Sequence, residues 1–332
     1  MRRQRSRACN RTSAGVAFDS WQVVAAMIVR DKITAWEVFF VLRGSIVLRI
    51  LPLMVGVAAL SLIVVMLQRT GFTRITPITP MALSVIGAAL AIFAAFRNAA
   101  AYDRRWEARK LMGLVVIETR NLARQAGSYI VAVPGDDTPR RIALRCIAFG
   151  HLLSDFFRDR PIGENAARYM QPEERAALAT SRNAPNRLLD FFSRDIAAME
   201  AAGRVSPILA LTLEERVLGL NLGFASAERT KVTPMPFVYS LLVHRTAHIF
   251  CTLLPFGLAD SSGYWTPLLA AIVSYTFFGL DAIGDDLSQP FGRHVNCLPL
   301  DAMARVIEIN ILQSLGEAEV PEPLRPQNYL LT

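Results

Sequence analysis

His244 and His248 stand four residues apart in "HRTAH", the spacing that puts two imidazoles on one face of a helix, as a transition-metal site requires. A metalloprotease of the HExxH type needs Glu at 245, where this chain has Arg245, a cation in the place of the general base. The plainer reading is a pair of hydrogen-bonded histidines at the cytoplasmic end of a span, and no metal is expected. Asp281, Asp285 and Asp286 could ligate a divalent cation, but the acid order and closing Glu of a calcium loop are missing, which leaves a solvated helix end. Cys9, Cys146, Cys251 and Cys297 form no CxxC pair and no zinc spacing, and read as unpaired thiols in a reducing compartment. No GxSxG elbow accompanies the serines. Without a catalytic constellation the chain is expected not to be an enzyme and to carry no cofactor.

The elements that hold these residues are apolar to a degree unusual in soluble proteins: 52% of the residues are hydrophobic and the mean hydropathy is +0.32. Residues 50–67 carry no charge and nearly suffice to cross a ~30 Å hydrocarbon core, which takes about 20 residues. Residues 75–96 form a second such run, joined to the first by the short connector 68–74. Residues 246–259 and 261–280 form another pair about a loop at Asp260. The expectation is an all-α membrane protein with four transmembrane helices in two hairpins and a helical bundle in the cytoplasm. Its parts are an N-terminal arm and pre-span helix (1–45), a first hairpin (46–101), a cytoplasmic helical region (102–236), a second hairpin (237–280) and a cytoplasmic C-terminal segment (281–332).

Arginine fixes the orientation. The net charge of +8 rests on it, since Lys32, Lys110 and Lys231 are the only lysines. Basic residues cluster before the first span, in an arm with Arg2, Arg3, Arg5, Arg7 and Arg11, and again after Phe96. By the positive-inside rule both termini and the middle are expected in the cytoplasm of a cell whose inner membrane the chain crosses. The arm suits an anionic lipid surface rather than nucleic acid. Arg245 would cost ~2.5 to 3.5 kcal/mol within hydrocarbon, so it is expected to face protein or headgroups, as an anchor, a structural pair or an ion-attracting charge.

The stretch "GAALAIFAAFRNAAAYDRRWEARKLMG" (87–113) is apolar up to Phe96 and densely charged afterwards, with neither proline nor turn at the change. It predicts one helix from about residue 80 to 124, roughly 65 Å long. Together with "TPMPFVYSLLVHRTAHIFCTLLPFGL" (233–258) and "DDLSQPFG" (285–292), it resembles the bestrophin family in its short bacterial form, from about Trp36 to Gly316. The resemblance implies a homopentamer of helical subunits around one axial pore that passes ions passively. It places the narrow neck at Ala88, Ile92 and Phe96, and a cytoplasmic aperture at Ile208 in "GRVSPIL". Ala88 departs from the larger aliphatic residue usual there. Gly87, Ala91 and Ala95, on the adjoining row, suit close helix contact. Ser288 and Gln289 break the acidic run that builds the calcium clasp of animal members, so no calcium activation is expected.

The function implied is chloride or other anion conduction through a hydrophobic neck gate, with permeant ions, membrane lipids and four further copies of the chain as partners. A cation-selective channel and a non-conducting scaffold or regulatory subunit are the alternatives. Apolar rings carry no sign of charge with which to choose between ions.

Overall fold

A computed structural model describes residues 27–28, 45–70, 78–327 and 329–331. The arginine arm, the pre-span helix and most of the 68–74 connector lie outside the described residues. The chain is built from ten α-helices among the described residues: α1 (Val47–Arg69), α2 (Pro80–Tyr129), α3 (Thr138–Phe157), α4 (Glu164–Ala167), α5 (Pro172–Ala179), α6 (Ala184–Ala201), α7 (Pro207–Val232), α8 (Phe237–Ser262), α9 (Thr266–Ser288) and α10 (Leu300–Ser314). Two short strands, β1 (Met27–Ile28) and β2 (Leu330–Leu331), pair antiparallel.

The unpunctuated stretch is helical throughout. α2 runs for 50 residues, about 75 Å at 1.5 Å per residue, with Pro80 in its first turn and no proline further in. It serves two hydrophobic cores. Its first half gives Leu83, Leu90 and Ala94 to an apolar bundle with Ile50 of α1, Val243, Ala247, Phe250 and Leu254 of α8, and Phe278 of α9. Its second half gives Met112, Val115 and Leu122 to another core with Phe149 and Leu152 of α3, Phe192 of α6, Leu220 and Phe224 of α7, and Ile307 of α10. α7 lies antiparallel along this half, with Gly219 and Gly223 one turn apart on the contact face. A Cβ on Gly223 would lie 2.9 Å from Val115 Cγ2, and one on Gly219 would lie 2.8 Å from the Glu118 carboxyl carbon.

Among the described residues, three helical stretches are long and apolar enough to cross a membrane: α1, α2, and the 52 residues from Phe237 to Ser288. Within the last, a 3-10 turn over Gly263–Trp265 lets α9 fold back on α8, so that His244 meets Asp281 and Phe250 meets Phe277. The reversal falls three residues beyond the expected loop at Asp260, which still belongs to α8, because Gly263 takes the positive φ (+50°) that the turn needs. α1 carries Pro52 and α8 carries Pro255 in their interiors, where each removes a backbone hydrogen bond.

The turns of the second bundle follow local chemistry. Asp136 Oδ1 accepts from the Thr138 backbone N–H (3.1 Å) and hydroxyl (2.7 Å) ahead of α3. Asn183 Oδ1 caps α6 through the Asn186 N–H (3.1 Å), and Gly203 follows that helix in the left-handed region (φ +68°). Charged groups enter this core in compensated sets. Arg145, 2% exposed, is bound to Glu174 and to Asp195 (2.9 Å). Glu308 accepts from the Tyr169 hydroxyl (2.6 Å), and its Oε2 lies 3.0 Å from His151 Nε2 and 3.1 Å from Arg305.

Burial pushes the Glu308 carboxyl up, but hydrogen bonds from His151 and Tyr169 outweigh it and hold the group below the usual carboxylate range. Burial also raises Asp301, and Arg160, Arg158 and Ser154 together bring it below its ordinary value. Asp155 goes the other way, raised by burial. For Glu308 and Asp301 the stabilisation is present above the unfolded pKa and is lost as pH falls through the lowered folded values. For Asp155 the burial penalty is relieved on acidification. Thermal unfolding of detergent-purified protein should therefore show a destabilising acid limb only below about pH 4, and Glu308→Gln should flatten it. At neutral pH, Phe224→Ala should cost ~3–5 kcal/mol in the same measurement, because this 1% exposed ring packs against Phe149, Phe156 and Phe157.

Candidate functional site

α2 buries one face of its first half and leaves the other bare. Leu83, Leu90, Ala94, Arg97 and Ala101 point inward. Ala88, Ile92 (55% exposed) and Phe96 (66% exposed) form a row at four-residue spacing on the opposite side, with Val85 and Phe93 beside it. Among the described residues of one chain, Ile92 and Phe96 stay largely uncovered. Of the small row beside them, Gly87 makes the close contact, against the Phe250 ring, while Ala91 and Ala95 are exposed.

Directly beneath Phe96 the character of the helix changes, and buried charge is the means. Arg97 is 2% exposed. Its guanidinium donates to Asp281 Oδ1 at 2.8 Å and to the Asp281 carbonyl at 3.1 Å, and it is paired with Asp285. Asn98 Nδ2 donates to the Leu280 carbonyl (3.1 Å). From α1, Arg49 reaches Asp285 (3.5 Å) and Asp286 (3.1 Å), and from α8, His244 Nδ1 lies 2.6 Å from Asp281 Oδ2. All four helices of the apolar bundle thus meet in one layer of ion pairs. Gly284 makes room for it, since a Cβ there would strike Asn98 Oδ1 and lie 2.9 Å from Arg97 Nη1.

Two more arginines of α2 continue the join. Arg104 donates to the Thr230, Thr233 (2.6 Å) and Ser288 (2.8 Å) carbonyls, and Arg105 to the Asn296 carbonyl. The run "FRNAAAYDRR" is therefore the seam between the two bundles.

A family model described as "Bacterial/Fungal Bestrophin protein" matches residues 27–313. The chain belongs to the bestrophin family. Among relatives of this bestrophin, a Mesorhizobium japonicum protein named "Voltage-dependent anion channel-forming protein mll4386" is 41% identical over 298 residues, spanning 88% of this chain and 94% of the relative. Escherichia coli (strain K12) "Voltage-dependent anion channel-forming protein YneE" is 36% identical, spanning 92% and 100% of the two chains. A crystal structure of a bacterial bestrophin homolog from Klebsiella pneumoniae superposes with a TM-score of 0.74 at 32% identity, over 80% of this chain and 98% of that one. The bestrophin is accordingly a mostly helical membrane protein.

The structure brings Ala88, Ile92 and Phe96 together and holds Ile208 apart. Ile208 lies in the first turn of α7, behind the Ser206 cap, and is 77% exposed. Since α7 runs antiparallel to α2, with Thr230 beside Arg104 and Arg204 bonded to the Val131 carbonyl, Ile208 lies near the far end of α2, roughly 50 Å from Phe96 along the axis. The acids of α9 require a correction. Asp281, 6% exposed, is not solvated, and with the half-exposed Asp285 and with Asp286 it supplies the counter-charges of Arg97 and Arg49. The signal was present in the sequence: an arginine next to an uninterrupted apolar run needs a partner, and residues four apart on α9 share a face.

Removing Arg97 leaves the Asp281 carboxylate buried without its guanidinium, which costs ~3–5 kcal/mol. Arg97→Ala should lower the unfolding temperature of the purified protein accordingly. Arg97→Lys should recover only part of the loss, because an ammonium lacks the fork that serves two carboxylates at once.

Proposed function

We propose that this bestrophin is an anion channel of the cell's inner membrane, in which Ala88, Ile92 and Phe96 line the neck of an axial pore shared by five copies. The observation that carries the reading is the exposed row on α2: three apolar side chains, one turn apart, immediately above the buried Arg97–Asp281 ion pair. Anion conduction rests on the relatives, two of which bear the words "anion channel-forming" in their names.

In this reading four segments cross the membrane, namely α1, the first half of α2, α8 and α9, with regions 1–45, 102–236 and 281–332 in the cytoplasm. Both termini then lie on the side rich in arginine. Five copies of Ile92 and Phe96 around an axis form apolar rings that stop ions by excluding water, as hydrophobic gates do. Ala88 contributes little girth, so the constriction is two rings deep. Ile208 forms a second apolar ring, at the cytoplasmic exit. Apolar rings do not choose the sign of the ion; that choice belongs to charges outside the neck.

The reading is tested by ion flux in proteoliposomes under a salt gradient. Ile92→Ala combined with Phe96→Ala should raise chloride flux several-fold over wild type, and the reversal potential should follow the chloride gradient. A reversal potential set by the cation gradient would replace anion by cation selectivity. Absence of flux from both proteins would leave a non-conducting membrane scaffold.

A further inference from the structure

The charged layer beneath Phe96 contains a pair of side chains that its ion pairs do not use up. His244 and His248 sit on successive turns of α8, their rings 4.2 Å apart between centroids. His244 Nδ1 lies 2.6 Å from Asp281 Oδ2, and His248 Nδ1 lies 2.8 Å from the backbone carbonyl of His244. Both acceptors lack a proton to give, so in each neutral ring the hydrogen resides on Nδ1 and the lone pair on Nε2. Neither Nε2 has a partner among the described residues, and the His244 side chain is 51% exposed.

Each ring is hydrogen-bonded through Nδ1 in the manner of a ligating histidine. Imidazole ligands almost always donate their second ring N–H to a carboxylate or a backbone carbonyl, which fixes the tautomer and raises the basicity of the ligating nitrogen. Here one ring has the carboxylate and the other has the carbonyl.

We propose that His244 and His248 bind a borderline first-row divalent cation, of which Zn2+ and Cu2+ are the natural cases, through their Nε2 atoms. The sequence alone argues against a metal here, because Arg245 stands where a hydrolytic site has its base. That argument excludes hydrolysis and leaves binding untouched. Two protein ligands leave positions for water, so the site is an exchangeable one and not a structural zinc. Its place gives it reach: Asp281 connects His244 directly to Arg97, the residue following Phe96. Charge added at the imidazoles draws on the same carboxylate that holds Arg97.

The test uses the full-length, untagged protein in detergent, titrated calorimetrically with Zn2+ alone. Saturable binding is expected in wild type and in His294→Ala, and its loss is expected in His248→Ala and in His244→Ala. Unchanged binding in a His248→Ala protein that elutes normally on gel filtration would overturn the proposal, as would no binding by wild type at millimolar Zn2+. Electron paramagnetic resonance of Cu2+-loaded wild type guards against a variant that fails to fold: hyperfine structure from two imidazole nitrogens supports the pair, and a signal from oxygen ligands alone refutes it. None of these readouts depends on ion conduction.

Discussion

Everything in the apolar bundle is arranged around the need to keep one guanidinium, Arg97, out of water and yet neutralised. A cation buried to this degree is tolerated only where carboxylates and carbonyls close around it. α9 supplies Asp281 and Asp285, α8 supplies His244 to the far side of Asp281, and α1 supplies Arg49 to the acids that remain. The positions of the four helices relative to one another, in rotation and in height, are therefore fixed at this level by directional bonds. Apolar packing above it, among Leu90, Phe250 and Phe278, fills the space but specifies register far less sharply.

The same layer explains how α2 can be so long without a break. A helix ordinarily ends where its burial pattern changes, because its next residues have nothing to pack against. Here the change of solvent is bridged by Arg97, Arg104 and Arg105, whose hydrogen bonds to α9, to the end of α7 and to the loop before α10 hold the helix until Met112 and Val115 enter a second core. Two hydrophobic cores thus share one rod, joined by a polar seam in which Arg97 Nε and Asn98 Oδ1 are buried without a hydrogen-bond partner.

Much of this was legible in the sequence. The apolar runs at 50–67, 246–259 and 261–280 mark α1, α8 and α9. The continuous helix across Phe96 followed from the lack of any turn signal, while the row Ala88, Ile92 and Phe96 came from the family resemblance, at a spacing that a helix puts on one face. What sequence could not supply is pairing at long range. Arg97 and Asp281 are 184 positions apart, and nothing in either neighbourhood names the other. The acids were read as solvated because local pattern places them at a helix end, and only the fold shows that Asp281 is buried and that all three acids face arginines. The reversal between α8 and α9 was displaced for a smaller reason: an aspartate looks like a turn residue, while the backbone conformation needed was glycine's.

The distribution of prolines carries a consequence for how such a protein can move. α1 and α8 each contain one in mid-helix and so have a point of weakness at which to flex, whereas α2 has none beyond its first turn. Because the rod is also clamped at Arg97, local bending is denied to the helix that carries Ile92 and Phe96. In the pore proposed above, any widening around those residues must come from leaning the whole rod or from swinging the Phe96 ring about its own side-chain bonds. The first is a slow collective displacement and the second a fast local one, so the dwell-time distribution of single openings would tell them apart.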